Sequence, residues 1–305
     1  MKKIFFCILA VVLCGFASAQ CNCGAGSSAS GTIDGLNFSI YGSQPLSIEL
    51  TSDNRFFKET ILSNDATTVI DTTNIKLQST SVSLIALQYR FGRGFGVSTL
   101  VPYSRIVSIY KESGIADIPF LVGKSFTFNN RNKFNVSAGV EVPTGKSSLN
   151  QNIIVFGSGN FDPLLQVNYQ LVKNSFVFIW SSANKLTISN SDKNNFGNYY
   201  NQSFFVMYGI NKTNTCESID SLNISKPTFF LSTGLTNEIF GAQTISGKVN
   251  YQTGGNMLCA AIGTQLFFSR FGLLLNGFIP VRQNWWSSVQ EKTTLRLKAS
   301  FTITI

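Results

Sequence analysis

From Lys133 to Val142 the chain alternates between two kinds of side chain. Phe134, Val136, Ala138, Val140 and Val142 take one set of positions and Asn135, Ser137, Gly139 and Glu141 the other, until Pro143, Thr144 and Gly145 close the run. After the turn-forming Gly157-Ser158-Gly159, Phe161, Leu165, Val167, Tyr169 and Leu171 alternate with Asp162, Leu164, Gln166, Asn168 and Gln170. A period of 2 belongs to β-strand, where successive side chains point to opposite faces. Two architectures use such strands. In a soluble sandwich the apolar faces meet one another, whereas in a membrane barrel they meet lipid and the polar faces line a lumen.

The same reading along the chain predicts about twelve strands, at 46–57, 81–91, 95–109, 115–128, 133–143, 159–171, 175–186, 199–210, 228–240, 257–268, 271–282 and 293–305. Their connections alternate in length. Those at 92–94, 129–132, 173–174 and 269–270 are tight; those at 58–80, 144–158, 187–198, 241–256 and 283–292 are long. Short turns at one end and long loops at the other are the pattern of an outer-membrane barrel with both termini in the periplasm. Two connections depart from it, since 110–114 is short for an outer loop and 211–227 long for an inner turn. The final strand is the most regular: Leu295, Leu297, Ala299, Phe301, Ile303 and Ile305 share one face, and Thr294, Arg296, Lys298, Ser300, Thr302 and Thr304 the other. A strand there lets the sheet close on its first member, and in hydrocarbon an open edge costs several kcal/mol per unpaired backbone group. The expected fold is therefore an all-β transmembrane antiparallel barrel of the bacterial outer-membrane type.

Residues 1–19 read as a signal peptide, with Lys2 and Lys3 ahead of an apolar run and Ala17-Ser18-Ala19 before the cleavage point. The run is shorter than the roughly 20 residues of a spanning helix. Acylation of Cys21 is the alternative reading, against which stands the bulky Gln20. Residues 20–44 are expected to be a flexible Cys-, Gly- and Ser-rich segment, and 45–305 the barrel. The net charge of +9 includes the two leader lysines, and the basic residues form no run of the nucleic-acid-binding kind. Lipid and a small solute are the expected partners.

Histidine is absent. That excludes a Ser-His-Asp triad, a Cys-His pair and any His-ligated zinc or iron, so no catalytic residue, cofactor or metal is expected. Cys21 and Cys23 suit either a disulfide or a weak soft-metal pair. Cys216 falls in the long inner connection, on the same side of the membrane, so a disulfide from Cys21 or Cys23 to Cys216 is the favoured pairing. Cys259 lies within a strand and reads as a small hydrophobe.

Four motifs in order carry a resemblance: Val101-Pro102-Tyr103; Gly114-Ile115-Ala116-Asp117; Val142-Pro143-Thr144-Gly145; and Gly157-Ser158-Gly159-Asn160-Phe161-Asp162. Together they resemble the outer-membrane transporters named for the MetA pathway of phenol degradation, although Ala116 stands where those proteins usually have glycine. The resemblance implies a barrel that passes small, often aromatic or hydrophobic, molecules. It also marks Gly114, Asp117, Pro143, Thr144, Gly145, Gly157, Gly159 and Asp162 as motif turn residues. On the strand registers alone, Asp117, Glu141 and Asp162 point inward from three adjacent strands, and Arg282, Arg296 and Lys298 from the last two. Acids on one wall and bases on the other would set a transverse field across a constriction; the plainer reading is that the charges pair locally and fill the barrel. Gly145, Gly157 and Gly159 are expected at positive φ, with Asp162 capping a loop. Trp285, Trp286, Tyr199 and Tyr200 are expected in an interfacial girdle. Two functions stay open: a channel or transporter for small molecules, and a non-conducting structural or assembly barrel with a filled lumen.

Overall fold

Period-2 alternation becomes strand at each place where it occurs. The chain is described here from a computed structural model, over residues 46–58, 79–107, 111–128, 131–145, 156–189, 195–210, 227–245, 247–250, 254–268, 270–285 and 292–305. The leader, the 20–44 segment, Cys21, Cys23, Cys216 and Trp286 lie outside these residues, as does the Trp285 side chain. The strands are β1 (Leu46–Lys58), β2 (Ser79–Phe91), β3 (Phe95–Val107), β4 (Lys111–Ile115), β5 (Ile118–Phe128), β6 (Asn132–Val142), β7 (Asp162–Lys173) and β8 (Phe176–Lys185). They continue with β9 (Tyr199–Gly209), β10 (Thr228–Phe240), β11 (Gln243–Ile245), β12 (Lys248–Asn250), β13 (Gly255–Phe268), β14 (Phe271–Trp285) and β15 (Lys292–Thr304).

All neighbours pair antiparallel, and the sheet closes into a barrel of 12 staves. Closure is made by β1 against β15 in a register running from Ser47 opposite Thr304 to Lys58 opposite Lys292. At the chain end Ile305 N donates to Leu46 O at 2.8 Å. The ring is thereby closed, which is what hydrocarbon requires, although among the described residues β4 pairs with β3 alone. β11 and β12 make a separate small hairpin inside the long connection after β10, too short for an alternation to announce.

One stave is broken. β4 pairs with Tyr103–Val107 of β3, and β5 with Phe95–Thr99. Residues 116–119 face only 100–102 across this gap, and each side carries a proline, Pro102 and Pro119, without an N–H to donate. Four residues opposite three make a bulge, which turns Asp117 into the barrel. A second bulge lies in β14, where Cys259 faces Pro280 but Leu258 faces Arg282, leaving Val281 unpaired.

The two faces of the wall separate by polarity in the sense opposite to a soluble fold. Ile85, Leu87, Val101, Phe120, Leu165, Phe204, Leu231, Ile262, Leu273, Ile279 and Phe301 are exposed on the outside. Thr51, Gln88, Ser98, Asn135, Gln166, Asn168, Asn201, Thr236, Gln265, Ser300 and Thr302 are buried within. Apolar clusters interrupt the polar interior. One is formed by Val82, Leu84, Ala86, Leu100, Leu121, Leu164 and Ala183. Another, at the end bearing the short turns, comprises Val172, Val177, Ile179, Met207, Phe230 and Phe267.

Candidate functional site in the lumen

Two groups of charged side chains occupy the interior. The first gathers the ends of β5, β6, β7 and β8 at the mouth that bears the long loops. Glu141 and Asp162 face one another across β6 and β7. Lys185, from the end of β8, reaches over β7 to put Nζ 2.5 Å from Glu141 Oε2 and 3.8 Å from Asp162 Oδ2. Asp117 accepts hydrogen bonds from Gly145 N at 2.9 Å and Ser158 N at 2.5 Å. Asp162 accepts from Ile188 N at 2.9 Å. Asp117, Glu141, Asp162 and Lys185 are all buried.

The four motifs that run through residues 101–162 meet at this point. Ala116 N donates to Pro102 O at 3.0 Å, and Thr144 Oγ1 to Ala116 O at 3.1 Å. Asp117 ties together the two ends of the connection between β6 and β7, and those ends pack backbone on backbone. A Cβ on Gly145 would stand 2.9 Å from Gly157 Cα, and one on Gly157 would run into Asp117 Oδ1. The expectation of positive φ is corrected for both: Gly159 has φ 76°, whereas Gly145 and Gly157 are glycine for want of room. Gly114 is similarly close, its Cβ position 3.0 Å from Phe156 Cδ2. Pro143 ends β6 beside them.

The second group spans the lumen between β1, β10 and β15. Arg296 donates from Nε and Nη2 to Asp53, at 2.9 and 2.6 Å, and from Nη1 to Glu238 at 2.5 Å. Arg55 holds the same Glu238 through two contacts of 3.0 Å. The Arg296 guanidinium lies 5.0 Å from the Phe278 ring centroid, and Phe205 meets Phe278 edge-on at 6.4 Å. Because β13, β14 and β15 separate β10 from β1 in the sheet, the bonds to Glu238 form a chord across the interior.

These positions alter the charge pattern expected from the registers. Asp117, Glu141 and Asp162 lie together inside one wall, with Lys185 among them. Arg296 and Lys298 are buried on the far wall, but Arg296 is bound by two carboxylates there. Arg282 does not point inward. The bulge at Val281 shifts β14 by one residue, so Arg282 shares the outer face with Leu258 while Gln283 turns in beside Met257. Arg282→Glu is accordingly expected to leave the reversal potential of the reconstituted protein unchanged; a shift toward cation preference would put that side chain in the lumen after all. Tyr199 is corrected as well: it is 2% exposed and packs inward on Phe240, ring centroids 5.2 Å apart, and so is not part of an outer girdle.

Sequence reading missed Lys185, Asp53, Arg55 and Glu238. Each sits at an inward position of its own strand, so alternation marks its face; what alternation lacks is which strands bring them together. Among the described residues no group of three or more Cys, Asp or Glu is arranged to hold a metal ion.

No family model matches the chain, and no curated protein matches it. Solved structures do. The crystal structure of an outer membrane channel from Pseudomonas putida F1 is similar with a TM-score of 0.64 at 12% identity, over 88% of this chain and 98% of that one. The β domain of the Bordetella autotransporter BrkA gives a TM-score of 0.49 at 7% identity, over 86% and 100%. The NanC porin gives 0.47 at 8% identity, over 85% and 100%. The first likeness places the fold among outer-membrane barrels.

Proposed function

We propose that the chain is an outer-membrane channel for small solutes, related to the transporters its motifs resemble. The observation that carries this reading is the distribution of side chains on a closed wall. A continuous apolar outer surface and a polar interior suit a chain that sits in lipid and holds a lumen open to polar contents. The signal peptide read at residues 1–19 supplies the export this location needs. Apolar luminal patches around Leu84, Leu100, Leu121 and Leu164 suit passage of aromatic or hydrophobic molecules. No enzymatic step is proposed, and the absence of histidine leaves no general base of that type.

Selectivity resides at the loop-bearing mouth. There the carboxylates of Asp117, Glu141 and Asp162 outnumber the single Lys185 ammonium, while the far wall is neutralised by pairing of Arg55 and Arg296 with Asp53 and Glu238 and by Lys298 beside Glu49. The field is thus one-sided and favours cations. Replacing Glu141 with Gln together with Asp162 with Asn is expected to move the reversal potential in a KCl gradient toward that of a non-selective pore. An unchanged potential would remove the mouth cluster from selectivity.

The rival is a barrel whose lumen is filled, and one observation favours it. The chord from Glu238 to Arg55 and Arg296, with Arg296 over the Phe278 ring that Phe205 meets edge-on, occupies the side of the interior bounded by β9, β10, β13, β14, β15 and β1. Liposome swelling separates the readings. The channel gives uptake of neutral solutes that falls with their size; no uptake above empty liposomes would establish the filled barrel.

A further inference from the structure

The wall made by β3, β5, β6 and β7 carries polar side chains that neither charged group uses. Asn135 on β6 and Asn168 on β7 stand opposite one another with side chains turned to the lumen, 3% and 2% exposed. The oxygen and the nitrogen of both carboxamides lack a hydrogen-bond partner, and so do the hydroxyls of Ser137 and Ser98. Ser137 is the next inward residue of β6, and Ser98 faces in from β3. Gln166 stands opposite Ser137 on β7, and Lys133 and Gln170 make the next inward rung toward the short turns; the β5 side of the patch is low. Gly123 lies opposite Ser137, and Gly96 opposite Gly123. A Cβ at Gly123 would stand 2.8 Å from that of Ser137, so a larger residue there would push the serine aside. Leu121 and Leu164 border the patch on the side of the mouth, and Val172, Val177 and Ile179 on the side of the short turns.

Buried polar groups in folded proteins are paired as a rule, and a facing pair of carboxamides with all four heavy atoms unpaired departs from it. The chain leaves these groups for something that is not the chain. Their chemistry narrows what that is. A carboxamide offers two N–H donors and an accepting oxygen, and a serine hydroxyl offers both functions. The cross-strand neighbours Ser125, Gly123 and Ser181 carry no charge, and Lys133, the next inward residue of β6 toward the short turns, is buried and already engaged, so these rungs have little left to compensate an ionic group. A group that donates and accepts at once, without charge, is a hydroxyl.

We infer that this patch is a binding site for an uncharged, hydroxyl-rich solute of about hexose size, held between Asn135 and Asn168 with Ser137 as a further contact. The inference rests on the channel reading for how the solute arrives, and adds a second solute class to the aromatic or hydrophobic one that the apolar patches suit. The test uses the full chain in planar bilayers, with glucose as the probe and KCl carrying the current. Expected are saturable interruptions of the current by glucose, with the half-blocking concentration raised about tenfold or more in the double variant Asn135→Leu, Asn168→Leu, as loss of several hydrogen bonds requires. The KCl current of the variant is expected to persist. Absence of block in a conducting wild-type barrel would mean that lumen water alone satisfies these groups, and an equal half-blocking concentration in the variant would place any site elsewhere. Equally strong block by gluconate and glucosamine would overturn the uncharged class. Equilibrium dialysis of labelled glucose against the detergent-solubilised barrel reads the site without any current. Binding there that the variant loses supports the site even in a barrel that does not conduct, and no binding contradicts it.

Discussion

Arg296→Ala is expected to destabilise the folded barrel by about 3–5 kcal/mol, the range for removing one member of a buried ion set. Arg296 is 1% exposed and serves two acids from different strands, Asp53 and Glu238. Its removal leaves Asp53 with no arginine within bonding distance and Glu238 with Arg55 alone. Asp53, enclosed by protein, would then lose its hydrogen-bonded cation and Glu238 one of its two, which is the source of the cost. Urea unfolding in lipid vesicles, followed by the shift in gel mobility of the unheated barrel, reads the change. The double variant Asp53→Asn, Arg296→Met is expected to recover much of the loss, because it removes one charge of each sign and leaves the Arg55–Glu238 pair intact. A loss below about 1 kcal/mol for Arg296→Ala would be the size of a solvated surface pair, and the chord would then hold nothing together. Conductance is expected to rise in the same variant, since the guanidinium that crosses the interior is gone.

Asp117→Ala is expected to have the second largest effect, and a different one. The carboxylate accepts from Gly145 N and Ser158 N, and each buried N–H left without an acceptor costs about 1–3 kcal/mol. Those two donors are the ends of the connection between β6 and β7. The expected result is cleavage of the folded protein between Gly145 and Phe156 at protease concentrations that spare the wild type, with the staves intact. Asp117→Asn should fall between the two, since a carboxamide retains one acceptor and turns its NH2 toward the other donor. Gly157→Ala should act in the same direction, because its Cβ would run into Asp117 Oδ1. Wild-type resistance in Asp117→Ala would show that the connection is held by other means.

The strands were legible because their faces are. Alternation in Phe134–Val142 or Leu295–Ile305 states which side chains leave the wall together, and the lengths of the connections state which end is which. Closure of β15 on β1 follows from the same two facts. What failed was local: Arg282 alternates correctly in sequence but lies beyond an unpaired Val281, and one inserted residue sends all that follow to the other face. No residue type announces that bulge. Tyr199 reads as a girdle aromatic by composition, yet its strand parity places it beside Phe240 in the interior. The mouth cluster was half visible. The strand registers placed Asp117, Glu141 and Asp162 on consecutive staves, but their cation comes from Lys185, whose approach depends on a side chain spanning a whole stave. The chord through Arg296 was hidden for the reason that governs all long-range contacts: β1, β10 and β15 are far apart in the chain.

A nitroxide scan along β15 in reconstituted vesicles tests the central claim most directly. Labels at positions 297, 299, 301 and 303 are predicted to collide readily with oxygen dissolved in the bilayer, and labels at 296, 298, 300 and 302 to be shielded from it. The native Leu297 and Phe301 are 44% and 41% exposed, and Ser300 and Thr302 5% and 2%. Shielding of the apolar set from oxygen, or a folded protein that stays dissolved without detergent or lipid, would mean that the greasy face is packed against protein and that there is no membrane barrel.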